Sequence, residues 1–133
     1  MAQHQFTVRI RYSECDPMGI AHHASYPVWF EMGRTELCRS AGVAYRDMEE
    51  LGAFIAVARL EVRYVHPIRY DDEVEICTTL ERATRVKAIH AYRILRAGLV
   101  VTTASTTVAC VGPDGRPREM PEPLRRAMGV SEA

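Results

Sequence analysis

The chain has 133 residues, of which 47% are hydrophobic and 26% are charged, and its seventeen basic residues balance seventeen acidic ones. This length and apolar content suit one compact domain with one core over residues 1–133, and leave no room for a second domain. The balanced charge argues against a nucleic-acid-binding protein, so any charged ligand must be bound by a local group of side chains.

The sequence predicts a protein that is neither secreted nor membrane-spanning. Its first residues lack a basic segment followed by an apolar run, and no apolar stretch reaches the roughly 18 residues that a membrane span needs. The cysteines Cys15, Cys38, Cys77 and Cys110 form no C-x-x-C pair, which argues against a zinc knuckle or a thioredoxin-type motif. Cys77 and Cys110 are predicted to be buried strand residues. We therefore expect reduced thiols and a cytoplasmic location.

The first predicted element is a half-buried strand over residues 6–12. Apolar side chains alternate with polar ones there, so one face of the strand is formed by Phe6, Val8, Ile10 and Tyr12. Residues 13–24 break this pattern and are too polar for a core, and Pro17 and Gly19 indicate a loop.

A long amphipathic helix is predicted to follow this loop. Ser25 is suited to cap its first turn, and Gly42 is suited to end it. Side chains that recur at helical spacing are expected to face the core, namely Trp29, Met32, Gly33 and Leu37.

The rest of the chain predicts mostly strands. A short helix over residues 45–51 precedes four strand-like runs, at residues 53–65, 73–80, 86–95 and 99–111, and a last short helix is predicted within residues 121–128. The order of one strand, one long helix and four closely linked strands predicts an α+β protein with an antiparallel sheet. Such a sheet leaves an edge or face uncovered, which favours a homodimer.

The segment from Arg11 to Arg39 resembles the 4-hydroxybenzoyl-CoA thioesterase-like family of hotdog proteins. The likeness includes the Cys15-Asp16-Pro17 run, Gly19, His23 and the Arg-Thr-Glu sequence of the helix, and residues 40–43 and 67–74 also match family segments. The resemblance implies a hotdog fold, in which a five-stranded antiparallel sheet wraps around one long central helix. It also implies homodimers with acyl sites at their interface, which could pair into a homotetramer as a dimer of dimers.

The activity that the resemblance implies is hydrolysis of the thioester bond of an acyl-CoA, without a metal or bound cofactor. Asp16 matches the catalytic carboxylate of the family, as nucleophile or as general base for water. His23 matches the position whose backbone N–H, at the start of the helix, faces the thioester carbonyl oxygen. Tyr12 matches a tyrosine beside the site. Ser25 stands where many family members carry Asn, so the site lacks a carboxamide here.

The phosphates of CoA are expected to lie near basic side chains. The sequence offers one cluster between two predicted strands, formed by Arg82, Arg85 and Lys87.

Other interpretations of these residues remain open. An Asp before a Pro in a polar loop is most often only a turn former, so the catalytic role of Asp16 depends on the family resemblance. Glu31, on the helix, is a reserve carboxylate. Trp29 and Met32 could line an acyl pocket, but side chains at that spacing more often belong to the core.

Two further site chemistries are disfavoured. His22 and His23 are adjacent and are expected to point in different directions, which argues against a metal site with Cys15 or Asp16. Cys15 could act as a nucleophile, but no basic neighbours are visible that would lower the pKa of its thiol.

Two alternative functions belong to other classes. One is a noncatalytic dimer that binds acyl thioesters, and the other is a hotdog dehydratase or hydratase that acts on the acyl chain. The acyl group, and the choice between CoA and acyl carrier protein as its carrier, stay open.

Overall fold

The computed structural model describes residues 2–130. Five strands and three α-helices are formed, with these bounds: β1 Gln3–Arg9, α1 Tyr26–Ser40, α2 Tyr45–Glu50, β2 Phe54–Tyr64, β3 Glu73–Ala83, β4 Lys87–Arg96, β5 Leu99–Val111 and α3 Glu122–Ala127. Two 3-10 turns, Tyr12–Glu14 and His23–Ser25, lie between β1 and α1.

The five strands form one sheet in the order β1-β3-β4-β5-β2, and every neighbouring pair is antiparallel. Helix α1 packs against this sheet, mainly over β3 and β1. The predicted α+β architecture of five antiparallel strands and one long helix is therefore confirmed. None of the helices within residues 2–130 is both long and apolar enough to cross a membrane.

Helix α1 buries a stripe of side chains against the sheet. Trp29 and Phe30 are fully buried and Leu37 is nearly so, because residues spaced by seven and eight positions lie on one face of a helix. Met32 lies outside this stripe and is 41% exposed, so its predicted place in the core is wrong.

At Gly33 the backbone of α1 lies close to Thr78 of β3. A Cβ atom built at this position would lie 2.1 Å from Thr78 Oγ1 and 3.4 Å from Thr78 Cβ. The absence of a side chain thus sets the distance between helix and sheet.

We expect Gly33→Ala to destabilise the fold by about 2 kcal/mol, despite the better helix propensity of alanine, because the added methyl overpacks the core. Thr78→Ala removes the clashing oxygen and should recover most of this loss in the double variant. Urea unfolding of the four proteins measures the coupling, and additive effects would contradict this packing explanation.

Some predicted element boundaries are wrong. Strand β1 ends at Arg9, opposite the first residue of β3, Glu73, and the chain then enters the 3-10 turn Tyr12–Glu14. Tyr12 consequently lies outside the strand and is 81% exposed. Strand β3 extends beyond its predicted end to Ala83.

The burial predicted for the strand cysteines is right for Cys110 and wrong for Cys77. Cys110 is fully buried, whereas Cys77 is only half-buried. The reason is the strand period: the buried residues of β3 are Val74, Ile76, Thr78 and Leu80, so Cys77 lies on the outer face of the sheet.

One edge of the sheet carries exposed apolar side chains. Strand β1 forms one edge and β2 forms the other. Along and just after β2, several large apolar side chains are exposed: Phe54, Val57, Leu60, Tyr64 and Val65. A long edge strand with exposed apolar side chains is a surface that proteins normally cover.

Candidate active site

The buried carboxylate of Glu14 anchors the loop between β1 and α1. Its Oε1 accepts a hydrogen bond from the Arg11 backbone N–H (2.7 Å), and its Oε2 accepts one from Trp29 Nε1 (2.8 Å). The Glu14 carbonyl accepts two more, from the His22 N–H at 2.7 Å and from Ser25 Oγ at 2.9 Å. One residue therefore ties the loop to the first turn of the helix.

The surroundings of Glu14 keep it ionised. Burial alone would raise its pKa, but the hydrogen bonds from Arg11 and Trp29 and the Arg11 charge outweigh burial and hold the pKa below its ordinary value. The Arg11 guanidinium lies 3.3 Å from Glu14 Oε1. The anchor is thus a charge-assisted network at neutral pH.

Asp16 lies at the start of a tight turn in this loop. Its Oδ1 accepts a hydrogen bond from the Met18 N–H at 2.8 Å, and its carbonyl accepts one from the Gly19 N–H at 2.9 Å. Gly19 has a φ of +79°, which glycine adopts without steric cost. Asp16 therefore forms the predicted turn, and its carboxylate is oriented by one backbone bond.

Helix α1 starts with a 3-10 turn beside this carboxylate. His22 Nδ1 accepts a hydrogen bond from the Ala24 N–H at 3.0 Å, so His22 rather than Ser25 provides the side-chain cap. Ser25 instead donates its Oγ hydrogen to the Glu14 carbonyl, which corrects its predicted capping bond. Among the hydrogen bonds of residues 2–130, none uses the His23 N–H as donor.

Asp16 and His23 line the same cleft, which has a volume of about 380 Å³. Its wall is completed by Ile20, Ala21 and Tyr26 from the loop and helix start, and by Tyr64, Val65, His66 and Pro67 from the end of β2. Tyr26 is buried and its ring packs edge-on against Tyr64 at 4.9 Å. An acidic residue and a residue at the start of the helix thus line one partly apolar space, a combination of groups suited to carbonyl chemistry.

Two groups of predicted site residues lie outside this cleft. Tyr12 does not line it, and its ring contacts Tyr70 instead, at a centroid distance of 5.2 Å. Arg82, Arg85 and Lys87 lie where β3 ends and β4 begins, whereas the Asp16 loop contacts the residues just before β3. Within one subunit this cluster and the cleft are therefore at opposite ends of the strands.

The structure gives little support to a Cys15 nucleophile or to a metal site at His22 and His23. Partial burial and then the nearby charges of Glu14, Asp16 and Asp72 raise the pKa of the Cys15 thiol, which makes it a poor nucleophile. The rings of His22 and His23 stack at 4.2 Å, so they do not point apart as expected. Throughout residues 2–130, His, Cys, Asp and Glu side chains nowhere gather in threes that could hold a metal ion.

The two helix residues considered for the site lie elsewhere. Trp29 is fully buried, so the core interpretation of its spacing is correct, and its Nε1 serves the Glu14 anchor. Glu31, the reserve carboxylate, lines a separate cavity further along α1.

Comparison with known proteins decides the family. Residues 10–128 match the model of the thioesterase-like superfamily. The chain belongs to this family. Among its relatives is the acyl-CoA thioester hydrolase YbgC of Escherichia coli O6:H1, which is 32% identical over 123 residues, or 90% of this chain and 91% of the relative.

Solved thioesterase structures share the fold. The DHNA-CoA thioesterase of Staphylococcus aureus is 32% identical and superposes with a TM-score of 0.87 over 95% of this chain and 83% of its own. A 4-hydroxybenzoyl-CoA thioesterase bound to 4-hydroxybenzoyl-CoA is 19% identical. It superposes with a TM-score of 0.86 over 96% of this chain and 99% of its own. The predicted hotdog fold and the prediction that the protein is a thioester hydrolase are confirmed.

Sequence reasoning missed three residues of this site. Glu14 was hidden because a charged residue in a polar loop gives no sign of burial. Tyr64 and His66 reach the cleft only because the loop after β1 packs against the end of β2. The aromatic residue and the His-Pro pair at the end of a predicted strand were the available signal.

Proposed function

We propose that this thioesterase hydrolyses acyl-CoA to the free acid and CoA, and that the Asp16 cleft is its active site. The observation that supports this most is the placement of Asp16 and His23 in the wall of one cleft, together with a His23 N–H that no hydrogen bond of residues 2–130 uses. The 32% identical relative from Escherichia coli is an acyl-CoA thioester hydrolase, which supports the choice of substrate.

In the proposed mechanism the thioester carbonyl oxygen accepts a hydrogen bond from the His23 N–H. Attack on the carbonyl carbon moves negative charge onto this oxygen, where the N–H and the positive end of the helix dipole stabilise it. Asp16 either removes a proton from the attacking water or attacks the carbonyl itself to give an anhydride that water then opens. Both routes consume one water, break the C–S bond and release one carboxylic acid and one thiol.

Product analysis tests this proposal. Purified protein is incubated with short, long and aromatic acyl-CoAs, and free thiol and free acid are measured together. We expect one thiol for each acid released from at least one substrate. A changed acyl chain without thiol release would favour a dehydratase or hydratase. Tight binding without either product would favour a noncatalytic binding dimer.

We also propose that the enzyme works as a homodimer paired through β2. This strand is eleven residues long and lies at the sheet edge with exposed apolar side chains. A two-fold axis at this edge would extend the sheet across two subunits and cover those side chains. Tyr64 and Val65 line the cleft from this same strand end, so the second subunit would lie beside the active site.

Val57→Lys should weaken the dimer at least about tenfold, because it places a charge in an apolar interface. Leu99→Lys is the matched control, since Val57 is 52% exposed and Leu99 51%, but Leu99 lies away from β2, at the start of β5 beside the tight turn from β4. Light scattering across a dilution series measures the result. Equal behaviour of both variants would contradict pairing through β2.

The proposed dimer gives the basic cluster a role in CoA binding. In an antiparallel β2–β2 pair, the end of one sheet that bears Arg82, Arg85 and Lys87 lies beside the Asp16 end of the other. Three strand spacings separate β2 of one subunit from β4 of the other, which amounts to roughly 14 Å. The cluster would then meet the CoA phosphates of the neighbouring subunit's site.

The double variant Arg82→Ala/Lys87→Ala should raise KM for acyl-CoA about tenfold and leave turnover of an acyl-pantetheine thioester unchanged, because the shorter thioester has no nucleotide phosphates. Added salt should shrink the difference between wild type and variant. Arg116→Ala, which removes an exposed cation elsewhere, is the control. An unchanged KM for acyl-CoA would contradict this role for the cluster.

A cytoplasmic location fits this proposal. All four cysteines are free thiols, as expected in a reducing compartment.

A further inference from the structure

A second cavity lies further along α1, on the side that faces β2. It has a volume of about 460 Å³ and is lined by residues of α1, α2 and β2, among them Arg34, Tyr45 and Val57. A smaller cavity of about 150 Å³ shares Glu31, Arg34 and Val57 with it and continues toward Pro27 and Leu60. Since Tyr26 and Tyr64 line the Asp16 cleft, the three cavities follow one another between helix and strand.

Arg34 stands in the wall shared by the two further cavities, and it is only 6% exposed. One terminal nitrogen of its guanidinium donates to the Tyr92 hydroxyl at 3.0 Å, and that hydroxyl lies 2.6 Å from Thr106 Oγ1. Tyr92 and Thr106 thus fix the guanidinium and leave its other N–H donors for a ligand.

Arg34 has no anionic partner within residues 2–130. Every ion pair found within 4.0 Å in that range joins other residues. Burial and the Arg34 charge lower the pKa of nearby His90 to about 4, so this imidazole is neutral at physiological pH.

A buried cation without a counterion is costly. The buried guanidinium of Arg34 therefore calls for an anionic group with acceptor oxygens. A carboxylate suits a fixed guanidinium because it can accept two parallel hydrogen bonds.

We propose that Arg34 binds a second carboxylate at the far end of the acyl group, so that the preferred substrates are CoA monothioesters of dicarboxylic acids. This inference rests on the proposed function, because the thioester end must lie in the Asp16 cleft. Arg34 follows Tyr26 by eight residues, which is roughly 12 Å along a helix. Its side chain reaches back toward the amino terminus, which places the carboxylate one medium-length acyl chain from the thioester.

Four other charged side chains line the larger cavity. Arg39 and Arg46 are exposed and pair with Glu36 and Asp47. Glu31 and Glu49 are exposed and oppose an anionic ligand, but water and salt screen exposed charges more than they screen the buried guanidinium of Arg34.

The test compares acyl-CoAs in pairs of equal chain length, one ending in methyl and one in carboxylate: butyryl and succinyl, hexanoyl and adipoyl, octanoyl and suberoyl, decanoyl and sebacoyl. We expect kcat/KM to favour the carboxylate member at least about tenfold at the best chain length. Arg34→Met should abolish this preference and Arg34→Lys should keep part of it. A wild-type enzyme that prefers the methyl member at every length would overturn the proposal.

Calorimetry of the wild-type protein with free dicarboxylic and monocarboxylic acids of equal length provides a second measurement, which needs neither variants nor turnover. Tighter binding of the diacid supports the site, and equal or absent binding overturns it. If a carboxylate from a second copy of the chain binds Arg34 instead, calorimetry would show no preference for the dicarboxylic acid. Loss of thiol release from both series would refute the proposed function, while calorimetry would still decide the carboxylate site.

Discussion

Asp16→Asn is expected to lower kcat for thioester hydrolysis about a thousandfold, with little change in the affinity for acyl-CoA. The amide can still accept the hydrogen bond from the Met18 N–H, so the turn is preserved. It can neither remove a proton from water nor attack the carbonyl efficiently, and losing such a group typically costs two to four orders of magnitude. Steady-state thiol release, compared at equal folded fractions, measures the effect.

Asp114→Asn is a closely matched control for this experiment. Asp114 Oδ1 accepts a hydrogen bond from the backbone N–H two residues further on, at 3.0 Å, which repeats the local geometry of Asp16. It lies in an exposed turn after β5 and lines no part of the cleft. We expect wild-type rates from this variant. If Asp16→Asn also kept the wild-type rate, the chemistry would belong to another group, with Glu31 the first to test.

Glu14→Gln is expected to destabilise the fold by about 2 kcal/mol at neutral pH, since a neutral amide replaces a buried carboxylate that accepts bonds from Arg11 and Trp29. Glu36→Gln is the control: Glu36 pairs with Arg39 on the surface, so its loss should change stability by less than about 0.5 kcal/mol. Urea unfolding of wild type and both variants measures these differences. Equal effects would contradict the anchoring role of Glu14.

The pH dependence gives Glu14 a second signature. Its folded-state pKa is lowered, so ionisation favours the folded state above the unfolded pKa of about 4.5. The stability difference between wild type and Glu14→Gln should therefore be complete near neutrality and shrink as the pH falls through the folded pKa. A difference that stayed constant down to strongly acidic pH would show that packing, rather than charge, is responsible.

Periodicity predicted the sheet and the long helix because both obey short-range rules. Trp29, Gly33 and Leu37 recur every four residues and do face the core, and the strand over residues 99–111 has the predicted bounds. Tyr12 was assigned to the first strand because it continues the alternation. The strand ends first because its partner β3 begins only at Glu73 and the chain then enters the 3-10 turn Tyr12–Glu14.

The site was only partly predictable. The resemblance to the family singled out Asp16 and His23, and the fold brings both to one cleft. Glu14 and Arg34 gave no signal, because burial of a charged side chain depends on what the rest of the chain packs against it. The sequence did show the basic cluster of Arg82, Arg85 and Lys87. Its distance from the cleft depends on the direction of the strands and, in the proposed dimer, on the pairing of the two subunits through β2.

We propose that acyl-CoA binds in the Asp16 cleft with its carbonyl oxygen against the His23 N–H. An NMR titration of ¹⁵N-labelled Asp16→Asn protein with an intact acyl-CoA tests it most directly, because this variant should bind the substrate without consuming it. We predict a downfield shift of the His23 amide proton, as expected for a new hydrogen bond, with shifts at Tyr64 and Val65. Saturable binding that left these three amides unchanged would contradict the claim.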